Sequence, residues 1–146
     1  MSHVLNLISR ILMAAVFVVY GYAKLTNVDS ILNNAGLKRF MDLVAHGAAP
    51  PTWLGYLIGA IEFFGGIAII LGIATRTIAW LFVIYLVILT YFGHPFWMTG
   101  TPIDKVNFYK NLVIIGAFLM LAVNGSGAHS VDGRMSASRD ARPDYA

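Results

Sequence analysis

The chain has 146 residues, 58% of them hydrophobic and only 12% charged, where soluble domains run at roughly 45–50% and 25%. With a mean hydropathy of +0.72, one soluble domain would lack the polar material to cover its surface, so the class implied is a membrane protein. The net charge of +3 comes without a basic patch interleaved with aromatics, which argues against nucleic acid as a partner. The absence of cysteine excludes disulfides, thiolate metal ligands, iron–sulfur clusters and dithiol redox chemistry within the chain.

Four stretches are apolar enough, and long enough or nearly so, to cross a bilayer as helices: residues 4–22, 52–73, 77–92 and 107–123. The expected fold class is therefore all-α, a transmembrane four-helix bundle. The first stretch must include Arg10, because residues 11–22 alone are too short to cross; a long side chain near a helix end can snorkel to the interface. It reads as a retained span rather than a cleaved leader. Its arginine comes late for a charged start, and Gly21-Tyr22-Ala23 is a poor cleavage site. Arg10, Ala14, Phe17, Gly21 and Lys24 fall on one helical face, a stripe expected to face the bundle.

Between the first and second spans, Asn27-Val28-Asp29-Ser30 reads as a helix start with Asp29 or Ser30 as cap. A loosely helical apolar pattern with Lys38, Arg39, Asp42 and His46 on the other side predicts a short amphipathic interfacial helix, stopped by Gly47 and Pro50-Pro51. The second span carries Gly55, Gly59, Glu62, Gly66 and Ile73 on one face. A tight turn follows, with Arg76 as an interfacial anchor. The third span is rich in Trp, Tyr and Phe, as aromatic belts require. The irregular loop after it holds His94 and Trp97, both loop candidates for a site. The fourth span opens on Tyr109-Lys110-Asn111. The chain divides into a membrane domain over residues 1–125 and a polar, flexible tail over 126–146. An even span count puts both termini on one side; the lysines and arginines are nearly balanced, and we place the termini in the cytoplasm.

Glu62 is the only glutamate, and it falls near the middle of its span. An ionisable group at that depth needs a partner. Lys24, Lys110 and Arg10 are the candidates. Glu62 lies about nine residues, or ~13 Å, from the outer end of its helix, further than a lysine stem reaches. A direct pair would need tilt, a water or a hydroxyl relay through Tyr22, Tyr56 or Tyr109. Two readings stand side by side: a buried acid that exchanges a proton or hydrogen-bonds a ligand head group, or half of a structural ion pair. Lys24 and Lys110 either snorkel outward or bind an anionic group together. His94 has no second ligand at helical spacing, and no span contains a histidine, so neither a metal site nor haem is expected.

These pieces together resemble the DoxX family of small bacterial four-helix membrane proteins, relatives of a thiosulfate:quinone oxidoreductase subunit. The matching residues are Arg10 with Gly21-x-x-Lys24-Leu25, then Glu62-x-x-Gly65-Gly66 running to Leu71-Gly72-x-x-Thr75-Arg76. His94-Pro95-Phe96-Trp97, Lys110-Asn111 and Ser130-x-Asp132 complete the set. The resemblance implies a multi-pass protein of the bacterial inner membrane. It also implies a link to electron transfer, quinones or oxidative stress, beside a redox protein partner. The ligand site would comprise Glu62, Lys24, Lys110, Asn111, Arg10, Tyr22, Tyr56 and Tyr109, with no covalently bound cofactor and with quinone or lipid as the bound molecule. The chain is not expected to be catalytic alone. The alternatives are a structural or assembly bundle without a ligand, and a small-molecule or proton carrier acting as a homo-oligomer.

Overall fold

A computed structural model describes residues 2–140, and the side chains of residues 4–138. Eight helices follow one another: α1 (Ser2–Thr26), α2 (Asp29–Leu32), α3 (Ala35–Val44), α4 (Thr52–Leu71), α5 (Thr75–Gly93), α6 (Phe96–Thr99), α7 (Pro102–Asn124) and α8 (Val131–Asp140). Four candidate spans are long and apolar enough to cross a membrane: Val4–Thr26, Thr52–Leu71, Thr75–Thr99 and Pro102–Asn124. The chain is thus an all-α, four-span membrane bundle. The spans run longer than the apolar runs suggest because polar residues at their ends join the helices. Lys24 and Thr26 extend α1. Thr101 starts α7 early: its hydroxyl accepts from the Asp104 amide, with Pro102 at the first helical position.

The bundle is built from two helix pairs. Helix α1 packs chiefly on α4 and α5 chiefly on α7, with few contacts between the pairs. The tight α1–α4 pair follows from its glycines. A Cβ at Gly21 would lie 2.4 Å from the Phe63 amide nitrogen and 2.9 Å from the Gly59 carbonyl oxygen, and one at Gly66 would lie 2.8 Å from Val18 Cγ2. In a bilayer helices associate by close packing rather than by escaping water, and small residues allow it. The buried face of α4 is Gly55, Gly59, Glu62, Gly66 and Ile69. Ile73 is not part of it: the helix stops at Gly72, whose φ of +71° ends it in the left-handed region, and Ile73 is exposed beyond.

The apolar core lies in one half of the bundle. Ala14, Phe17, Ile69, Ala79, Phe82, Leu86, Phe118 and Leu121 are all buried. Phe82 and Phe118 stack with ring centroids 5.0 Å apart, and Phe17 meets Phe82 at 4.6 Å and Phe118 at 5.5 Å. These three rings join the two helix pairs. Large apolar side chains such as Leu12, Val19, Phe64, Ile84, Val113 and Val123 point outward, which suits acyl chains rather than water.

Two helices, not one, fill the connection between the first two spans. Neither Asp29 nor Ser30 caps the longer of them. Asn34 does, its Oδ1 accepting from the amides of Gly36 (2.8 Å) and Leu37 (3.4 Å). Helix α3 then packs on α5. A Cβ at Gly36 would sit 2.6 Å from Gly93 Cα, and Arg39 donates to the Phe92 carbonyl at 3.0 Å. Residues 126–140, read from sequence as loose tail, are ordered as far as they are described. Ser126 and Ser130 are buried, the Asp132 amide donates to Gly72 O at 3.0 Å, and α8 follows. The part of that tail beyond Asp140 lies outside the described residues.

Candidate functional site

The sole glutamate meets its cation directly. Lys24 Nζ donates to both Glu62 oxygens, at 2.6 and 2.5 Å. Glu62 is only 3% exposed, so the pair lies inside the membrane part of the protein. Two features bring them together. Helix α1 continues to Thr26, so Lys24 is not at its end. The glycine contacts let α1 ride close along α4, and a Cβ at Gly59 would lie 3.2 Å from Lys24 Cβ. Lys24 therefore stands beside Gly59, one turn from Glu62, and its stem spans the gap without relay or tilt.

The third member is Tyr85 of α5, whose hydroxyl donates to Glu62 Oε1. Sequence reasoning placed this residue among the aromatics of the third span and missed the role. The three tyrosines nominated as relays are elsewhere. Tyr22, Tyr56 and Tyr109 are all exposed. Tyr56 lies six residues before Glu62, about 120° around the helix, and Tyr22 packs its ring on Phe63. The signal that could have found Tyr85 is its spacing: it lies three residues after Phe82, on the edge of the buried stripe of α5.

Tyr85 also forms part of the wall of a cavity of about 200 Å³ lined by residues including Ile31, Leu37, Leu54, Ile58, Leu89 and Phe92. Helices α2 and α3 contribute one side of this cavity, and α4 and α5 the other. Apart from Tyr85 and Asn34 the lining is aliphatic, aromatic or glycine. A cavity of this size takes a small ring: an engineered apolar cavity of about 150 Å³ binds benzene. The apolar space and the ionised pair are thus joined through one phenol ring.

Arg10 is not a partner of Glu62. It is fully buried in the opposite half of the bundle, where its guanidinium donates to Ile69 O (3.2 Å), Ile70 O (2.8 Å), His129 O (2.5 Å) and Asn6 Oδ1 (3.1 Å). It satisfies carbonyls that the end of α4 leaves open and ties them to the segment after α7. Beside it, Asp132 Oδ1 and Oδ2 accept from the amides of Ala74 (2.9 Å) and Thr75 (2.8 Å), capping α5 from a distance in sequence. Burial pushes the Asp132 carboxyl up, and the amides of Thr75 and Ala74 outweigh it, holding the group below the ordinary carboxylate range. Arg76 is exposed on the rim of a polar recess that Asp132 also lines.

Lys110 is exposed and does not join the pair. Asn111 turns inward, and its side-chain nitrogen is buried with no hydrogen-bond partner. His94 Nδ1 lies 3.1 Å from Asp104 Oδ1, and Asp104 also accepts from Thr99 and Thr101, at 2.7 Å each. The cluster holds the α5–α7 connection in shape. Trp97 packs against Tyr91 and Phe108 in an aromatic group at the same end.

Comparison with known proteins adds the lineage. The DoxX family model matches residues 5–95. The chain is 37% identical over 134 residues to the inner membrane protein YphA of Escherichia coli (strain K12), covering 90% of each chain. It is 33% identical over 126 residues to the inner membrane protein YqjF of the same organism, covering 86% of this chain and 88% of that one. No solved structure matches it. The matched region holds Arg10, Lys24, Glu62 and Tyr85, the residues that close both ends of the α1–α4 pair and bridge it to α5, and the chain belongs to the DoxX family.

Proposed function

We propose that this protein is an accessory subunit of a quinone-linked or oxidative-stress redox system in the bacterial inner membrane, and that it holds a small apolar ring, a quinone or a lipid-derived molecule, in the cavity beside Tyr85. One observation carries the reading: Tyr85 lines an apolar cavity of about 200 Å³ and donates its hydroxyl to a buried, lysine-paired glutamate. A ring in that space would lie against a phenol already connected to a group able to take or give a proton. With no cysteine in the chain, no thiolate here carries electrons, and a partner protein would supply the redox centre. On the same reading α3 lies in the membrane interface, its polar face outward, and both termini are cytoplasmic. The names of the two relatives support the inner-membrane location.

The test is purification in native lipid particles, with mass spectrometry of the bound small molecules. Quinone or another ring compound should be retained by the native chain and lost in Leu54→Trp, which fills the cavity without touching the ion pair. Retention of the same compounds by the filled variant would overturn the proposal. A second reading is favoured by the bidentate Lys24–Glu62 contact: the pair locks α1 to α4 and nothing more. Glu62→Gln separates them. Lost folded yield alone supports the lock; normal yield with lost ligand or lost stress resistance supports the site.

A further inference from the structure

The interior changes character along the bundle. Around Phe17, Phe82 and Phe118 it is apolar. Two turns further toward the α3 end, each of the three helices that carry those rings places a polar residue on the same buried stripe. Lys24 is seven residues after Phe17 on α1, Asn111 is seven before Phe118 on α7, and Thr90 is eight after Phe82 on α5. At 1.5 Å per residue these positions all fall about 10–12 Å from the ring cluster, and the ring contacts fix the register between the helices. Lys24, Thr90 and Asn111 therefore share one level of the bundle.

Their hydrogen bonding is incomplete. Thr90 is only 3% exposed, and neither its hydroxyl oxygen nor Asn111 Nδ2 has a partner. An ammonium has three N–H donors, and Lys24 commits its bonds to the two Glu62 oxygens. Buried polar groups are ordinarily satisfied, and exceptions ask for a reason. Here the unmet groups are of one kind: an amide N–H₂, a hydroxyl and the remaining ammonium proton are all donors. Convergent donors are complementary to an acceptor oxygen.

We propose that Thr90 and Asn111, facing Lys24, form a subsite for a carbonyl or carboxylate oxygen of a membrane-soluble small molecule. The ring of a quinone and the head of a fatty acid both present such an oxygen. The subsite uses the Lys24 of the proposed function above but does not need its redox role. Replacing both groups with apolar isosteres removes donors that nothing in the protein satisfies, so a subsite predicts lost binding without lost stability.

The experiment uses the full chain in lipid nanodiscs, the double variant Thr90→Val/Asn111→Leu, and two probes: a short-chain benzoquinone and decanoate, each ¹³C-labelled at its carbonyl or carboxyl carbon. The native chain should bind at least one probe and lower its infrared C=O or carboxylate stretch, as donated hydrogen bonds do. The double variant should bind that probe at least tenfold more weakly, abolish the frequency shift and keep or raise the melting temperature. Binding of decanoate alone keeps the subsite and removes the quinone-linked reading; binding of the quinone supports both. The proposal is overturned if neither probe binds the native chain. It is also overturned if the double variant binds as well as the native chain, or if its melting temperature falls, since the two groups would then be holding the helices together.

Discussion

Lys24 and Glu62 neutralise one another where water is scarce, and each is costly without the other. Breaking a buried pair from one side costs roughly 3–5 kcal/mol, because the survivor is left charged and desolvated. Lys24→Met should therefore lower folded yield and melting temperature sharply, since the Glu62 carboxylate keeps only Tyr85 as donor. Adding Glu62→Gln removes the stranded charge, so the double variant should recover much of the loss. Thermal unfolding in detergent of the two single variants and the double measures the coupling; an additive result would mean that the two groups are not energetically linked. The pair shows how far single residues were legible. An acid in an apolar span announces itself, and Lys24 on the packing stripe was a fair candidate. Tyr85 was not legible, because a tyrosine in an aromatic-rich span looks like a membrane belt residue until the neighbouring helix is in place.

At the scale of elements, glycine and the chain's carboxylates set how helices meet and end. Gly21 has no room for a side chain against the α4 backbone, so Gly21→Val must push α1 away from α4. Overpacking of this kind costs about 1–3 kcal/mol, and it also draws Lys24 off Glu62. The variant should be less stable than its volume change alone implies, and Gly21→Val in the Lys24→Met/Glu62→Gln background should cost less. The α4–α5 turn depends on Asp132. Its carboxyl titrates below its unfolded value near 3.8, so the stabilisation it supplies is complete above that pH and is lost as pH falls through the lower folded value. Melting temperature followed from pH 6 to pH 3 should fall at the acid end, and Asp132→Asn should be less stable at pH 6 and flatter over the same range. Asp132 also explains why Ala74 tolerates φ of +45°: its amide is held by that carboxylate. The four spans were legible from apolar length. The capping role of the segment after α7 was not, because short polar residues read as unfolded chain unless their partners, here Gly72 O and the amides of residues 74 and 75, are known to be near.

The whole molecule is two helix pairs joined by a small aromatic core and by the Tyr85–Glu62 contact. In water a core phenylalanine cut to alanine costs about 3–5 kcal/mol, through lost transfer energy and the cavity left behind. Inside a bilayer the transfer part shrinks, since lipid is as apolar as the core, and packing supplies most of what remains. Phe82→Ala should then leave each pair intact while loosening one pair against the other. The absence of cysteine makes this measurable without background: spin labels at Val19 and Ile84, both outward-facing, report the spacing between the pairs. The native chain should give one narrow distance distribution, Phe82→Ala a broader one, and Phe82→Ala with Tyr85→Phe the broadest, because both joints between the pairs are then weakened. A distribution unchanged in the double variant would mean that the pairs are held by something outside these contacts, such as lipid wedged between them or a second copy of the chain.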